Sequence, residues 1–271
     1  MHGQNFLMNQ PLAIDKDYLL SLLPNIILGY KNNSFLSVEK TEENFLSALT
    51  GQFTQSRQTG ADTFPVVLNI SGPIVKHTDW NYIGTQTYIK ILKNLENDPS
   101  VSGVILNIDS GGGMVSGTAE LADIIYEMEK PTIAYTNGLM CSAAQHIGAA
   151  CDYKMASPYA DAVGSIGTML SFQDFSAMFE KFGAKIHEVY APQSTEKNFE
   201  FRELIAGNQK PYEEKLRVLN EDFINNIQKF YGEKLTDDGH VFKGKTYNAQ
   251  EALAIGLLDE VGSLEDALAK F

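Results

Sequence analysis

Ser110-Gly111-Gly112-Gly113 follows the short apolar run Gly103 to Ile108, and Ser142 stands among the small residues Cys141, Ala143 and Ala144. A glycine run behind a strand can turn backbone N–H groups toward an anion with no side chain in the way. A serine that opens a helix is either an N-cap or an exposed nucleophile awaiting a base. Taken alone, each feature has a plainer reading, a tight strand-to-helix turn for the glycines and a cap for the serine. No Gly-Lys-Ser/Thr completes a phosphate loop, and GxGxxG spacing with an acidic ribose partner is not met. His146, four residues after Ser142, shares its helix face without the reach for a shared proton and reads as a packed or surface residue. Cys141 as nucleophile would need a histidine partner and points away from the direction of Ser142. No His, Cys and carboxylate cluster has metal-ligand spacing, so neither a metal nor a cofactor is expected.

The elements that must hold these residues follow from apolar patterning. Pro65 to Ile70 and Gly103 to Ile108 are buried-strand runs, and Thr132 to Tyr135 is a third. Between them Tyr88, Ile91, Leu92 and Leu95, then Val115, Leu121, Ile124, Ile125 and Met128, repeat at helical spacing, and Lys130-Pro131 stops the second helix. Further expectations are a helix from about Ser142 to Ala150, a strand at Tyr153 to Ala156, a helix from Phe172 to Phe182, and a strand at Lys185 to Tyr190. A polar loop then covers 191 to 211, a long helix runs from Pro211 to about Phe230, and shorter helices cover Glu251 to Leu257 and Leu264 to Leu268. Strands alternating with helices predict an α/β fold with right-handed crossovers. Residues 12 to 28 read as a short amphipathic helix and Gly51 to Thr63 as a polar linker. The expected division is therefore an N-terminal helical arm and linker, 1–64, and a catalytic body, 65–271, ending in a helical region.

The chain has 271 residues, 44% apolar and 20% charged, which excludes a mini-protein and extended disorder. A formal charge of −13 argues against nucleic acid and anionic lipid as partners. Two cysteines make no disulfide framework and suit a reducing, cytoplasmic compartment. The apolar stretch Leu19 to Leu28 is short and contains Pro24, so no membrane association is expected.

Four motifs in order carry a resemblance. Asn107-Ile108-Asp109-Ser110-Gly111-Gly112-Gly113 resembles the Asn-x-x-Ser-Pro-Gly-Gly element of the signal-peptide peptidase A (S49) family, serine peptidases of the ClpP/crotonase superfamily. Cys141-Ser142-Ala143-Ala144, with Ile147 and Ala150-Cys151-Asp152, is similar to its nucleophile segment. Gly164-Ser165-Ile166-Gly167 and Gly256-Leu257-Leu258-Asp259-Glu260-Val261-Gly262 are similar to its two later motifs. Gly111 replaces the family's proline and Ala143-Ala144 its usual glycine pair, and neither change removes a backbone N–H. Pro11-Leu12-Ala13-Ile14 and the leucines after it resemble the start of the tailed-phage capsid (prohead) proteases of this family.

The resemblance implies a ClpP/crotonase-like spiral of β-β-α units and a serine endopeptidase with a Ser-Lys dyad. Ser142 would be the nucleophile and Lys197 the general base, with the N–H groups of Gly112 and Ala143 as the oxyanion hole and Ser165 orienting the lysine. On surface preference alone, Lys197 is a solvated loop lysine. A ClpP-type histidine about 25 residues past the serine is excluded, because Gly167 stands there. The implied substrate is an extended peptide or protein chain paired beside Gly112 to Val115, including capsid or scaffold proteins of a phage, and the implied assembly is a homo-oligomeric ring in the host cytoplasm or prohead. A crotonase-like acyl-thioester enzyme and a non-catalytic structural subunit of the same fold are the alternatives.

Overall fold

The structure, a computed structural model, describes residues 12–14, 63–79, 81–172, 174–183 and 187–271. The short strand β1, Leu12–Ile14, precedes β2 (Phe64–Ser71), α1 (Thr85–Asn97), β3 (Val101–Asp109), β4 (Gly112–Met114) and α2 (Thr118–Tyr126). Next come β5 (Thr132–Thr136), β6 (Leu139–Cys141), α3 (Ala143–Ala149), β7 (Tyr153–Ala156) and β8 (Ala162–Gly164). The C-terminal part holds α4 (Ser176–Lys181), α5 (Phe199–Ile205), α6 (Lys210–Tyr231), β9 (Thr246–Tyr247), α7 (Ala249–Ala254), β10 (Glu260–Val261) and α8 (Leu264–Leu268).

Five strands form an all-parallel sheet in the order β10-β7-β5-β3-β2. Parallel strands are joined by crossovers that cover both faces, which is why their sequences are continuous apolar runs. In β3, Val104, Leu106 and Ile108 pack with Leu92, Leu121, Ile125 and Ile147 of the helices on one face. Ile105, between them, points to the other face and packs with Ile133, Met155 and Ala267. Each of β3, β5 and β7 is followed by a short strand outside this sheet, β4, β6 and β8, and helices follow β4 and β6. This is the expected α/β spiral of β-β-α units, and it brings the short strands together at the carboxyl ends of the long ones.

Helix α6 buries Phe223, Ile227, Phe230 and Tyr231, one stripe at helical spacing, and Pro211 in its first turn costs no hydrogen bond. Its exposed side carries Arg217 between Glu214 and Glu221.

Three local expectations are corrected. Leu12–Ile14 is a strand rather than the start of a helix, because its backbone pairs with β4; the remainder of the expected helix and the linker up to 62 lie outside the described residues. Positions 187–190 form no strand, and 184–186 lie outside the described residues. The polar loop 191–211 contains α5, whose Phe201 meets Phe172 edge-on at 5.2 Å; its apolar residues are too few to show a period in the sequence.

Candidate active site

Short strand β6 is fastened to the end of β3. Ser110 N–H donates to Leu139 O at 2.8 Å, Cys141 N–H donates to Ser110 O at 3.1 Å, and Leu139 N–H donates to the Asp109 carboxylate at 3.0 Å. On its other edge Cys141 pairs with Gly164 of β8. The next residue, Ser142, donates its N–H to Gly164 O at 2.8 Å and turns at φ 56°, ψ −115° before α3 begins. A non-glycine residue rarely adopts that conformation, which persists where surrounding bonds over-determine it. Although Ser142 occupies the N-cap position of α3, its hydroxyl caps nothing. The hydroxyl instead makes a long 3.4 Å contact to Gly167 O. Ser142 is buried.

Two backbone donors expected beside this serine lie on the elements bonded to it. Ala143 is the first residue of α3, so its N–H has no carbonyl within the helix to bond. Gly112, at φ 103°, donates its N–H to Ser110 Oγ at 3.1 Å, and Ser110 in turn is bonded to Cys141. Ser165 follows Gly164, is half-buried at φ 54°, and donates its N–H to Lys245 O. Hydrogen bonds through Ser110, Cys141 and Gly164 thus link the strand ends that carry Gly112, the adjacent pair Ser142-Ala143, and Ser165.

Lys197 is elsewhere in character. It is exposed on the turn before α5, its N–H donates to Ser194 O at 3.2 Å, and among the described residues its amine makes no hydrogen bond or ion pair. Neighbouring Glu196 accepts from Thr195 Oγ1 rather than from Lys197. The structure records no contact between Lys197 and Ser142.

His146, read from sequence as packed or surface, is packed. Its ring stacks on Phe223 with centroids 4.7 Å apart and its Nε2 lies 3.3 Å from the Asn226 amide. Burial pushes its pKa down to about 4, which makes it a neutral core residue. Cys151 is buried as well, and burial pushes its thiol up to about 12, so it is inert.

Sequence reasoning missed Lys154, a buried lysine on β7 whose Nζ lies over the Tyr231 ring at 4.9 Å. Burial lowers its pKa, opposed by Cys151 and Asp259. Tyr231 donates to Leu257 O at 2.9 Å and accepts from Gln145 at 2.7 Å, which ties α3 to α6 and to the Gly256–Gly262 motif. The run Tyr153-Lys154-Met155-Ala156 carries no signal that its lysine is buried, because a strand pattern does not reveal what covers it.

Residues 125–271 match peptidase family S49, just over half of the chain. The chain belongs to peptidase family S49. Its relatives include “Putative protease MJ0651” of Methanocaldococcus jannaschii, 32% identical over 68% of this chain and 59% of that protein. They also include “Capsid assembly protease C” of Escherichia phage lambda, 29% identical over 98% of this chain and 64% of that protein. The chain thus spans about three fifths of the length of these two relatives. Among solved structures, the 1510-N membrane-bound stomatin-specific protease is similar at TM-score 0.49 and 17% identity, over 78% of this chain and 85% of that one. Among the described residues no helix is long and apolar enough to cross a membrane, and no group of three or more His, Cys, Asp or Glu residues could hold a metal ion.

Proposed function

We propose that the chain is a serine endopeptidase in which Ser142 is the nucleophile. The observation that carries this is the serine's conformation: it stands at a helix start, buried and at positive φ, yet its hydroxyl does no capping. A serine kept only as a cap would bond an N–H of the first turn. In the proposed reaction Ser142 Oγ bonds to the scissile carbonyl carbon, and the N–H groups of Ala143 and Gly112 receive the oxyanion. For this, the Gly112 N–H must leave the Ser110 hydroxyl it now meets at 3.1 Å. Lys197 takes the serine proton and returns it to the leaving amine, Ser165 orients the lysine, and water then hydrolyses the acyl-serine.

A lysine acts as a base only when neutral, and burial is what lowers its pKa. Lys197 is exposed in the single chain, so the proposed dyad requires a cover. The surrounding segment shows Phe182 82% exposed and Val189 95% exposed, with Phe199 and Ile205 also partly bare. Apolar side chains so exposed favour burial against another surface. We take that surface to be a further copy of the chain in a closed homo-oligomeric ring, active in the host cytoplasm or the phage prohead. The substrate proposed is an extended peptide segment of a capsid or scaffold protein, a reading supported by the phage lambda relative's name.

The test is labelling with an active-site phosphonate or β-lactone, followed by peptide mapping. The expected adduct is on Ser142, lost in Ser142→Ala along with cleavage of a peptide substrate. An adduct elsewhere, or cleavage within tenfold of wild type in Ser142→Ala, overturns the proposal.

A further inference from the structure

Strand β4 is three residues long and has two edges. On one, Ile74 N–H donates to Gly112 O at 2.9 Å and Met114 N–H donates to Ile74 O at 2.9 Å. Alternation along a strand then directs the N–H and C=O of Gly113 to the opposite edge. That edge is taken by the chain's own β1, antiparallel, with Leu12 opposite Met114, Ala13 opposite Gly113 and Ile14 opposite Gly112.

The polarity of this pairing matters. Gly112 is bonded to Ser110 Oγ and Ser110 O to Cys141 N–H, so the Gly112 end of β4 is the end tied to the serine. A peptide held for attack must bring a carbonyl to that end, with its preceding residues running back along β4. Leu12–Ile14 runs in that direction, with Ile14 at the Gly112 end. Positions 15 to 62 join it to the body, and a chain of that length spans up to about 160 Å, ample for the connection.

Resting on the reading of Ser142 as nucleophile and of the β4 edge as the peptide site, we propose that Leu12–Ile14 is a tethered occupant of that edge which a substrate peptide must displace. A tether turns the competition into an intramolecular one, with an effective concentration up to the order of a millimolar, enough to hold a weak three-residue pairing closed. The N-terminal segment then sets which peptides enter: those that pair with Gly113 better than Ala13 does.

The experiment uses the full chain carrying Ser142→Ala, so that nothing is cleaved, with and without Ala13→Pro. Proline at 13 removes the N–H that faces Gly113. Two readouts are amide hydrogen exchange at Gly113 and the fluorescence anisotropy of a labelled peptide of residues 9–17. Ala13→Pro is expected to speed exchange at Gly113 at least tenfold while Leu106 in the core is unchanged, and to tighten peptide binding at least threefold, with bound peptide restoring the protection. The tightening is expected to be independent of protein concentration. Unchanged Gly113 exchange, unchanged peptide affinity, or a concentration-dependent gain that assigns the strand to another copy would each overturn the proposal. Failure of the peptidase reading registers separately, as absence of cleavage and of labelling at Ser142 in the wild-type chain.

Discussion

Ser142 and Gly164 hold each other at positive φ, 56° and 112°, through a 2.8 Å hydrogen bond from the serine N–H to the glycine carbonyl. The serine's hydroxyl is thereby freed from the helix it precedes. A Cβ at Gly164 would lie 2.9 Å from Lys245 O, so the glycine is fixed by space as well as by conformation.

The backbone at Ser142 stores strain that glycine would relieve. Ser142→Gly is expected to melt higher than Ser142→Ala, by about 1 kcal/mol in denaturant unfolding, while both lose peptide cleavage. Equal stability of the two variants would show that the conformation costs nothing.

Gly113 has Ile74 O 2.1 Å from where its Cβ would stand, and that neighbour is backbone held in the β4 pairing. Gly113→Ala is expected to cost about 1–3 kcal/mol by overpacking and to abolish peptide binding at the β4 edge. Unfolding curves and the anisotropy assay read the two effects independently.

His146 makes stability depend on pH. Its folded pKa of about 4 lies below the ordinary histidine value of 6.5, so the unfolded chain binds the proton more readily. The contribution is complete above pH 6.5 and is lost as pH falls toward 4, on the order of 3 kcal/mol. His146→Phe, which keeps a ring against Phe223, is expected to flatten the stability profile between pH 7 and 4 relative to wild type.

Lys197→Ala and Lys197→Arg are both expected to lower kcat by a hundredfold or more with little change in KM, because guanidinium does not give up its proton. In the wild type, kcat is expected to fall on dilution as the assembly that covers Lys197 dissociates. Light scattering alongside the assay follows the dissociation; full activity of a monomer would remove the need for a cover and move the base elsewhere, with Lys185 and Lys210 next to test.

The sequence determined four of the five strands of the main sheet and the helices between them, because β2, β3 and β5 are apolar runs, β7 reads as a strand, and α1, α2 and α6 carry clear helical stripes; β10, two residues long, left no pattern to read. The resemblance of its ordered motifs to the family also pointed to Ser142, Gly112, Ala143 and Ser165. Tertiary structure alone decided what joins them: β4, β6 and β8 are three residues each, too short for a period to register, and their pairing depends on partners far along the chain. The same holds for Leu12–Ile14, whose leucine-rich surroundings suggest a helix until the open edge of β4 supplies hydrogen bonds for its backbone. The burial of Lys154 and the exposure of Lys197 are likewise properties of what packs over a lysine, which no local pattern of residues encodes.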